Sequence, residues 1–432
     1  MAAQVFCAQL RPEHIGSQGR ELAAACLEDF LSTVRSTEPG RDQAALRDQV
    51  WGGRWVAAAR ASTREVLRAY RTFLHSQGAA ILTEQPLAFA RILVEVIRWD
   101  LVSRQAADPE IWQMLGDVFD AAQDPEASRV VGDGNGAAQE YLRAIAYFSV
   151  ALDQLSLDAG VAACRLVDIS LPFLTLQRGV SPAALYLADP PAAPVPVRAS
   201  HAADSGWSYV PGAAVEFLAE LHGQLLRRSL PSLLAGGDPV LLCETAAHLR
   251  RLWSHRPPVR RFRRHPVGAE LLVVRGYDAI RGLFGAMDEV ASSAWRTTDL
   301  SRGGVGAMVI CGEVQSPPDN GDLIAFRLLD GPSWHLGIVR RVRFIGESAE
   351  VGIETLSVRP ALIRVDDGRE PVDMFFCDQV LRGEAVRVIA PRGTIRENAP
   401  LFVTSDGRVS KLKPLEVSMD GRGFELRVYQ VM

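Results

Sequence analysis

The chain has 432 residues, of which 48% are hydrophobic and 23% are charged, and its net charge is −4. This composition is typical of a soluble globular protein with roughly two to four domains. The slightly acidic balance excludes polyanion binding over the whole surface. No apolar run approaches the ~18 residues that a membrane-spanning helix needs, and the first ten residues lack a secretory signal. The six cysteines are scattered without C-x-x-C spacing, so we expect reduced thiols in a cytoplasmic protein.

The first half of the chain carries apolar residues at three- and four-residue steps, the period of one face of an α-helix. One such stripe runs through Phe89, Ile92, Leu93, Val96 and Ile97. Similar stripes cover 22–34, 111–119 and 141–148. The pattern predicts an α-helical domain over residues 1–179.

Prolines then interrupt the helical pattern. Six of them fall between residues 182 and 211, and proline does not fit inside a helix. The Ala-Pro-Val-Pro stretch in this region favours extended backbone, so we predict a Pro/Ala-rich linker over 180–212. Two further apolar stripes, the second ending near Trp253, predict a helical hairpin over 213–255.

After Trp253 the sequence changes to short β-type runs separated by Gly, Pro, Asp and Asn. Short strands at this spacing predict an antiparallel barrel or sandwich over 256–364. The tail has further strand-like runs and the turn sequences Ser405-Asp-Gly and Met419-Asp-Gly, which predict a small, separate β module over 365–432. The expected fold class is therefore multidomain α + β, with an α-helical N-terminal half followed by β structure.

A basic cluster between the two halves is the densest charged feature of the sequence. It comprises Arg250, Arg251, Arg256, Arg260, Arg261, Arg263 and Arg264. The planar guanidinium fork suits bidentate contact with phosphate and with the Hoogsteen edge of guanine, and its face stacks on bases. Composition alone leaves a solvated, charged linker as an equally good interpretation.

A second motif, Asp299-Leu-Ser-Arg-Gly-Gly, lies directly before an apolar strand. Asp299 and Ser301 lie on one side of an extended chain because strand side chains alternate. They offer a carboxylate acceptor and a hydroxyl group. Gly303 and Gly304 permit positive φ and leave room for a flat ligand near the backbone.

Together the two motifs resemble the PilZ family, whose signature is R-x-x-x-R followed by [D/N]-x-S-x-x-G. Arg260 and Arg264 match the first part, and Asp299, Ser301 and Gly304 match the second. The resemblance covers only residues 256–360. It implies a six-stranded antiparallel β-barrel that binds the bacterial second messenger cyclic di-GMP.

The resemblance also implies a role for each matched residue. Arg260 and Arg264 would contact phosphate and stack on or hydrogen-bond a guanine. Asp299 and Ser301 would hold another guanine edge, and Gly304 would keep the loop open.

Four neighbouring residues are further candidate contacts with the nucleotide: Arg256, Arg261, Arg263 and Gly303. Arg256 and Arg260 also fit R-x-x-x-R. We prefer Arg260 and Arg264 because Arg264 leads directly into the strand that begins near Val267.

We therefore expect a cytoplasmic bacterial receptor in which cyclic di-GMP reorients the helical half toward a protein partner. Two alternatives stay open, namely an interaction scaffold whose barrel binds no nucleotide and, less favoured, an RNA-binding protein. We expect no enzymatic activity, no cofactor and no metal. The eight histidines lack metal-ligand spacing, and no Ser-His-Asp or Cys-His arrangement can be assigned. The glycine-rich segment 132–136 lacks the Lys-Ser/Thr of a phosphate-binding loop.

Overall fold

The computed structural model of the chain describes residues 2–9, 17–36, 49–76, 85–123, 134–197, 206–255, 257, 262–285, 290–312, 316–366, 371–396, 398–405 and 408–432. The chain divides into two compact units, Met1–Val259 and Arg260–Met432.

The N-terminal unit is built from helices whose apolar stripes meet in one core. Its helices are α1 (Ala2–Gln9), α2 (Ser17–Ser36), α3 (Gln49–Ser76), α4 (Pro86–Val102), α5 (Pro109–Gln123), α6 (Gly134–Ser149), α7 (Leu157–Ser170), α8 (Ala214–Leu226) and α9 (Pro239–Trp253). Leu27, Phe89, Leu115, Ile145 and Leu249, from five of these helices, all belong to that core. The predicted α-helical N-terminal half is confirmed.

Helix α4 is buried on nearly all sides, and it therefore carries charged side chains into the core. Asp100 is only 4% exposed, and it accepts a hydrogen bond from Arg60 Nε at 2.6 Å. Arg98 is 2% exposed and donates to Glu95 at 3.0 Å. Buried charges are tolerated only when they are paired in this way. The Arg60–Asp100 pair holds α3 against α4.

A four-stranded sheet takes three of its strands from the region for which the sequence predicts a Pro/Ala-rich linker over 180–212. Its strands are β1 (Thr175–Arg178), β2 (Tyr186–Leu187), β3 (Val195–Pro196) and β4 (Trp207–Val210), in the order β1-β4-β2-β3. Proline is compatible with this sheet because Pro196 lies on its edge strand. Ala188 and Tyr209 are fully buried in the core that also holds α8 and α9. Residues from 1–179, 180–212 and 213–255 thus share one hydrophobic core.

The first barrel is a closed ring of six antiparallel strands with one short extra strand. Its elements are β5 (His265–Pro266), β6 (Glu270–Arg275), α10 (Tyr277–Phe284), β7 (Ser293–Ser301), β8 (Gly304–Ile310), β9 (Leu323–Leu328), β10 (His335–Ile345) and β11 (Ser348–Ser357). The order is β5-β7-β6-β9-β10-β11-β8, and pairing of β8 with β7 closes the ring. Inward-facing residues such as Trp295, Val305 and Phe326 fill the interior. The expected antiparallel six-stranded barrel is confirmed.

The C-terminal β module is itself a closed six-stranded barrel. Its strands are β12 (Ala361–Asp366), β13 (Pro371–Phe376), β14 (Ala385–Pro391), β15 (Leu401–Ser405), β16 (Arg408–Asp420) and β17 (Phe424–Val431). They follow the order β12-β13-β14-β17-β16-β15, and β15 returns to pair with β12. The expected β module is confirmed, and because its sheet closes on itself, each of the six strands pairs with two neighbours.

The two barrels are joined by a third hydrophobic cluster to which both contribute. Tyr277 of α10 packs edge-on against Phe375 of β13, and its hydroxyl donates to the Asp373 carbonyl at 2.6 Å. The backbone N–H of Arg422 donates to the Gly321 carbonyl at 3.0 Å. The second barrel is therefore not the separate module that its sequence suggests.

Among the helices that the structure describes, none is both long enough and apolar enough to cross a membrane.

Candidate functional site

Asp299 lies near the end of β7, where the strand carries a β-bulge. The pairing of β7 with β8 shifts register between Thr297 and Asp299. Asp299 pairs with Gly306 on one side and with Pro266 of β5 on the other. Bulges redirect side chains out of the regular alternation, and this one places the carboxylate across the surface of β8.

Arg264 meets this carboxylate although the two residues are far apart in sequence. Arg264 directly precedes β5, and the pairing of His265 with Leu300 brings it beside the end of β7. Its Nη1 donates to Asp299 Oδ2 at 2.8 Å and lies 2.8 Å from Oδ1. The side chains are 26% and 24% exposed, so the pair remains accessible to a ligand from solvent.

Ser301 and the two glycines form the tight β7–β8 turn. Ser301 pairs with Gly304, which leaves Arg302 and Gly303 as the two loop residues. The Ser301 hydroxyl donates to the Gly304 carbonyl at 3.2 Å. A Cβ at Gly304 would overlap the carbonyl oxygen of Ile353 on β11, so only glycine fits there. The turn holds Ser301 close to Asp299.

The structure adds two residues that the sequence reasoning missed. Phe262 is 42% exposed, and its ring lies so close to Gly303 that a Cβ there would be 2.9 Å from Phe262 Cδ2. The Arg302 guanidinium lies 5.8 Å from the centroid of the same ring. An exposed aromatic beside arginines is a stacking surface for a base. The available signal was the aromatic residue within the run Arg-Phe-Arg-Arg.

Gly306 is a third residue that the sequence reasoning did not select. A Cβ at this position would lie 2.6 Å from Asp299 Oδ2. The observed position of the Asp299 carboxylate therefore requires glycine at 306. The signal was present as the third glycine of the run Gly-Gly-Val-Gly.

The other predicted contacts are only partly placed. Arg256, Arg260 and Arg261 lie outside the described residues, so only the Arg264 half of R-x-x-x-R has a defined position. Arg263 is exposed. The described elements thus bring Arg264, Asp299, Ser301, Gly303 and Gly304 together at one rim of the first barrel.

Neither the protein-family models nor the curated proteins compared with this chain include a match. Within the part of the chain that the structure describes, no group of three or more His, Cys, Asp or Glu side chains is arranged to hold a metal ion. The residues at the rim of the first barrel are therefore the candidate functional site.

Proposed function

We propose that the first barrel binds cyclic di-GMP and that the protein is a receptor for this second messenger rather than an enzyme. The observation that carries the proposal is the contact between Arg264 and Asp299 at the rim of a closed six-stranded barrel. Ser301 and the glycine turn lie beside that contact. These residues are the ones that match the PilZ motif in the sequence, and their proximity supports the proposal.

The chemistry of these side chains suits the ligand. Cyclic di-GMP carries two phosphates and two guanines, so it needs cations for the phosphates and acceptors for the N1–H and N2–H groups of the base. A guanidinium binds phosphate through strong charge-assisted hydrogen bonds, and the Asp299 carboxylate accepts from guanine. The Arg264–Asp299 pair is a quarter exposed, and pairs of this kind contribute only about 0–1 kcal/mol to folding. The ligand can therefore displace the Arg264–Asp299 ion pair, or bind beside it, at little cost in folding free energy.

We further propose that binding changes how the helical unit is presented to a protein partner. Helix α9 ends at Trp253 and β5 begins at His265, so five arginines of the basic cluster, from Arg256 to Arg264, lie in the covalent connection between the two units. A ligand held by Arg264 restricts that connection. The ligand can shift the equilibrium between two arrangements of the units only by the difference in its affinity for them. Hydrogen exchange with and without cyclic di-GMP tests this step, with protection expected over residues 250–265.

Calorimetric titration of the full chain with cyclic di-GMP, and with GMP as control, tests the receptor proposal. Ligand at 100 times its dissociation constant stabilises the folded state by about 2.7 kcal/mol, which is measurable as a raised Tm. No heat and no shift in Tm at saturating ligand would overturn the proposal in favour of a scaffold. RNA binding through the basic cluster would differ by weakening steeply with salt.

A further inference from the structure

Arg341 of β10 lies in the same cross-strand row of the first barrel as Asp299. The strand registers pair Asp299 with Gly306, Gly306 with Gly352, and Gly352 with Arg341. The row therefore runs across β7, β8, β11 and β10, with a charged residue at each end and two glycines between them.

This row lies on the outer surface of the barrel. The residues that alternate with it, Val305 on β8, Val351 on β11 and Val342 on β10, belong to the interior core. Because strand side chains alternate between the two faces, the row itself points outward.

The two glycines let the charged side chains lie flat against the sheet. A Cβ at Gly306 would lie 2.6 Å from the Asp299 carboxylate, and a Cβ at Gly352 would lie 3.4 Å from Arg341 Cβ and 3.8 Å from its Nε. Asp299 thus extends over β8 from one side, and Arg341 extends over β11 from the other.

Glu350 fixes the orientation of the Arg341 side chain. Arg341 Nη2 donates to Glu350 Oε1 at 2.8 Å, and Arg343 Nη2 donates to Glu350 Oε2 at 2.6 Å. The two arginines differ in position, because Arg343 pairs with Glu350 itself, one row further from Asp299. Arg341 is also the less exposed of the two, at 24% against 42%.

We propose that Arg341 is a specificity-determining residue of the cyclic di-GMP site. It donates to the acceptor edge, O6 and N7, of a guanine whose donor edge faces Asp299. Three strand spacings separate the two backbones by about 14 Å along the sheet. The two side chains reach toward each other over Gly306 and Gly352, so adjacent edges of one base placed above these glycines can meet both. Guanine presents two acceptors to an arginine fork, whereas adenine presents a donor at the corresponding position. This inference rests on the proposed function.

The test compares Arg341→Ala with Arg343→Ala. Arg343→Ala is a matched control because it also removes an arginine that donates to Glu350. Each variant of the full chain is titrated calorimetrically with cyclic di-GMP and with cyclic di-AMP. Arg341→Ala should weaken cyclic di-GMP binding by about 5- to 150-fold, the range for a bidentate arginine–guanine contact. It should leave the weak binding of cyclic di-AMP nearly unchanged. Arg343→Ala should stay within about twofold of the natural chain for both ligands.

Gly352→Ala supplies an independent variant that keeps every charge. The added methyl group makes only ordinary contacts, so the barrel should fold with a Tm close to that of the natural chain. The methyl group nevertheless raises the surface on which the base lies, and we expect weaker cyclic di-GMP binding.

The outcomes separate the inference from the proposal on which it rests. If the natural chain binds no cyclic di-GMP, the proposed function itself fails. If the natural chain binds but Arg341→Ala behaves like Arg343→Ala, the role of Arg341 is refuted while the receptor stands. An equal loss of affinity for both dinucleotides would also refute it, because a base-reading contact must change the discrimination.

Discussion

Replacing Arg264 with alanine removes one guanidinium from the candidate site without touching the barrel core. Its hydrogen bond to Asp299 joins two side chains that are 26% and 24% exposed, so the loss in folding free energy should be no more than about 1 kcal/mol. A charge-assisted hydrogen bond to the ligand contributes more, about 1.5–3 kcal/mol. That contribution corresponds to about a 10- to 150-fold increase in the Kd for cyclic di-GMP. The variant should therefore fold normally and bind poorly.

Calorimetry at one fixed salt concentration measures this effect, with Arg263→Ala as the control. The sequence offered Arg263 as a further contact, but its side chain is exposed in the structure, whereas Arg264 is half-buried against Asp299. The loss of Arg263 changes net charge equally but should alter Kd by less than about threefold. Arg264→Lys should also bind poorly, because lysine lacks the planar fork. Equal losses for Arg263→Ala and Arg264→Ala would show that only net charge matters. If Arg256→Ala abolishes binding and Arg264→Ala does not, the R-x-x-x-R pair is Arg256 and Arg260.

Three further predictions concern stability and reactivity. Gly304→Ala should destabilise the barrel by about 1–3 kcal/mol, because its Cβ would overlap the Ile353 carbonyl. Gly268→Ala is the control with little expected effect, since its Cβ meets nothing within 4 Å. Equal urea midpoints for the unfolding of Gly304→Ala and Gly268→Ala would contradict this difference in stability. Burial lowers the pKa of His248 below its ordinary value, so the stability that depends on neutral His248 is present above about pH 6.5 and is lost as pH falls through the folded-state pKa. His248→Gln should reduce the loss of stability between pH 7.5 and pH 5, and an unchanged pH profile would assign that loss to other groups. Burial raises the pKa of the Cys377 thiol to about 12, so little reactive thiolate forms at pH 8. Alkylation at that pH, followed by mass spectrometry, should therefore label Cys377 far more slowly than half-buried Cys243. Similar rates would show that the barrel junction opens readily.

The strands that the sequence predicts best are those with a strong local pattern. Strands β9 (Leu323–Leu328) and β17 (Phe424–Val431) are continuous apolar or alternating runs, the kind of pattern from which β structure is predicted after Trp253. Strand β16 (Arg408–Asp420) was not predicted, since Lys411 and Lys413 interrupt its apolar residues. It forms because pairing with β15 and β17 satisfies its backbone within a closed ring.

Helix α10 and the sheet of the N-terminal unit were missed for a related reason. Helix α10 has only eight residues, too few for a periodic pattern to stand out or for a helix to be stable alone. It is stabilised by packing of Tyr277 and Ile280 into the core shared by the two barrels. The prolines in 180–212 predicted a linker because they reflect only the local backbone preference. That preference does not reveal that helices distant in sequence pack against this segment.

The sequence by itself determined the helical half, the change to β structure after Trp253 and the candidate residues Arg264, Asp299 and Ser301. The first two depend on hydrophobic periodicity, which is a local property, whereas the candidate residues come from the resemblance to the PilZ motif. Only the tertiary structure decided that β7 and β8 close the first barrel, that the Asp299 carboxylate lies over Gly306, and that Arg341 ends the same row. Cross-strand register is set by pairing between segments that are distant in sequence, and a shift of one residue would turn each of these side chains to the opposite face.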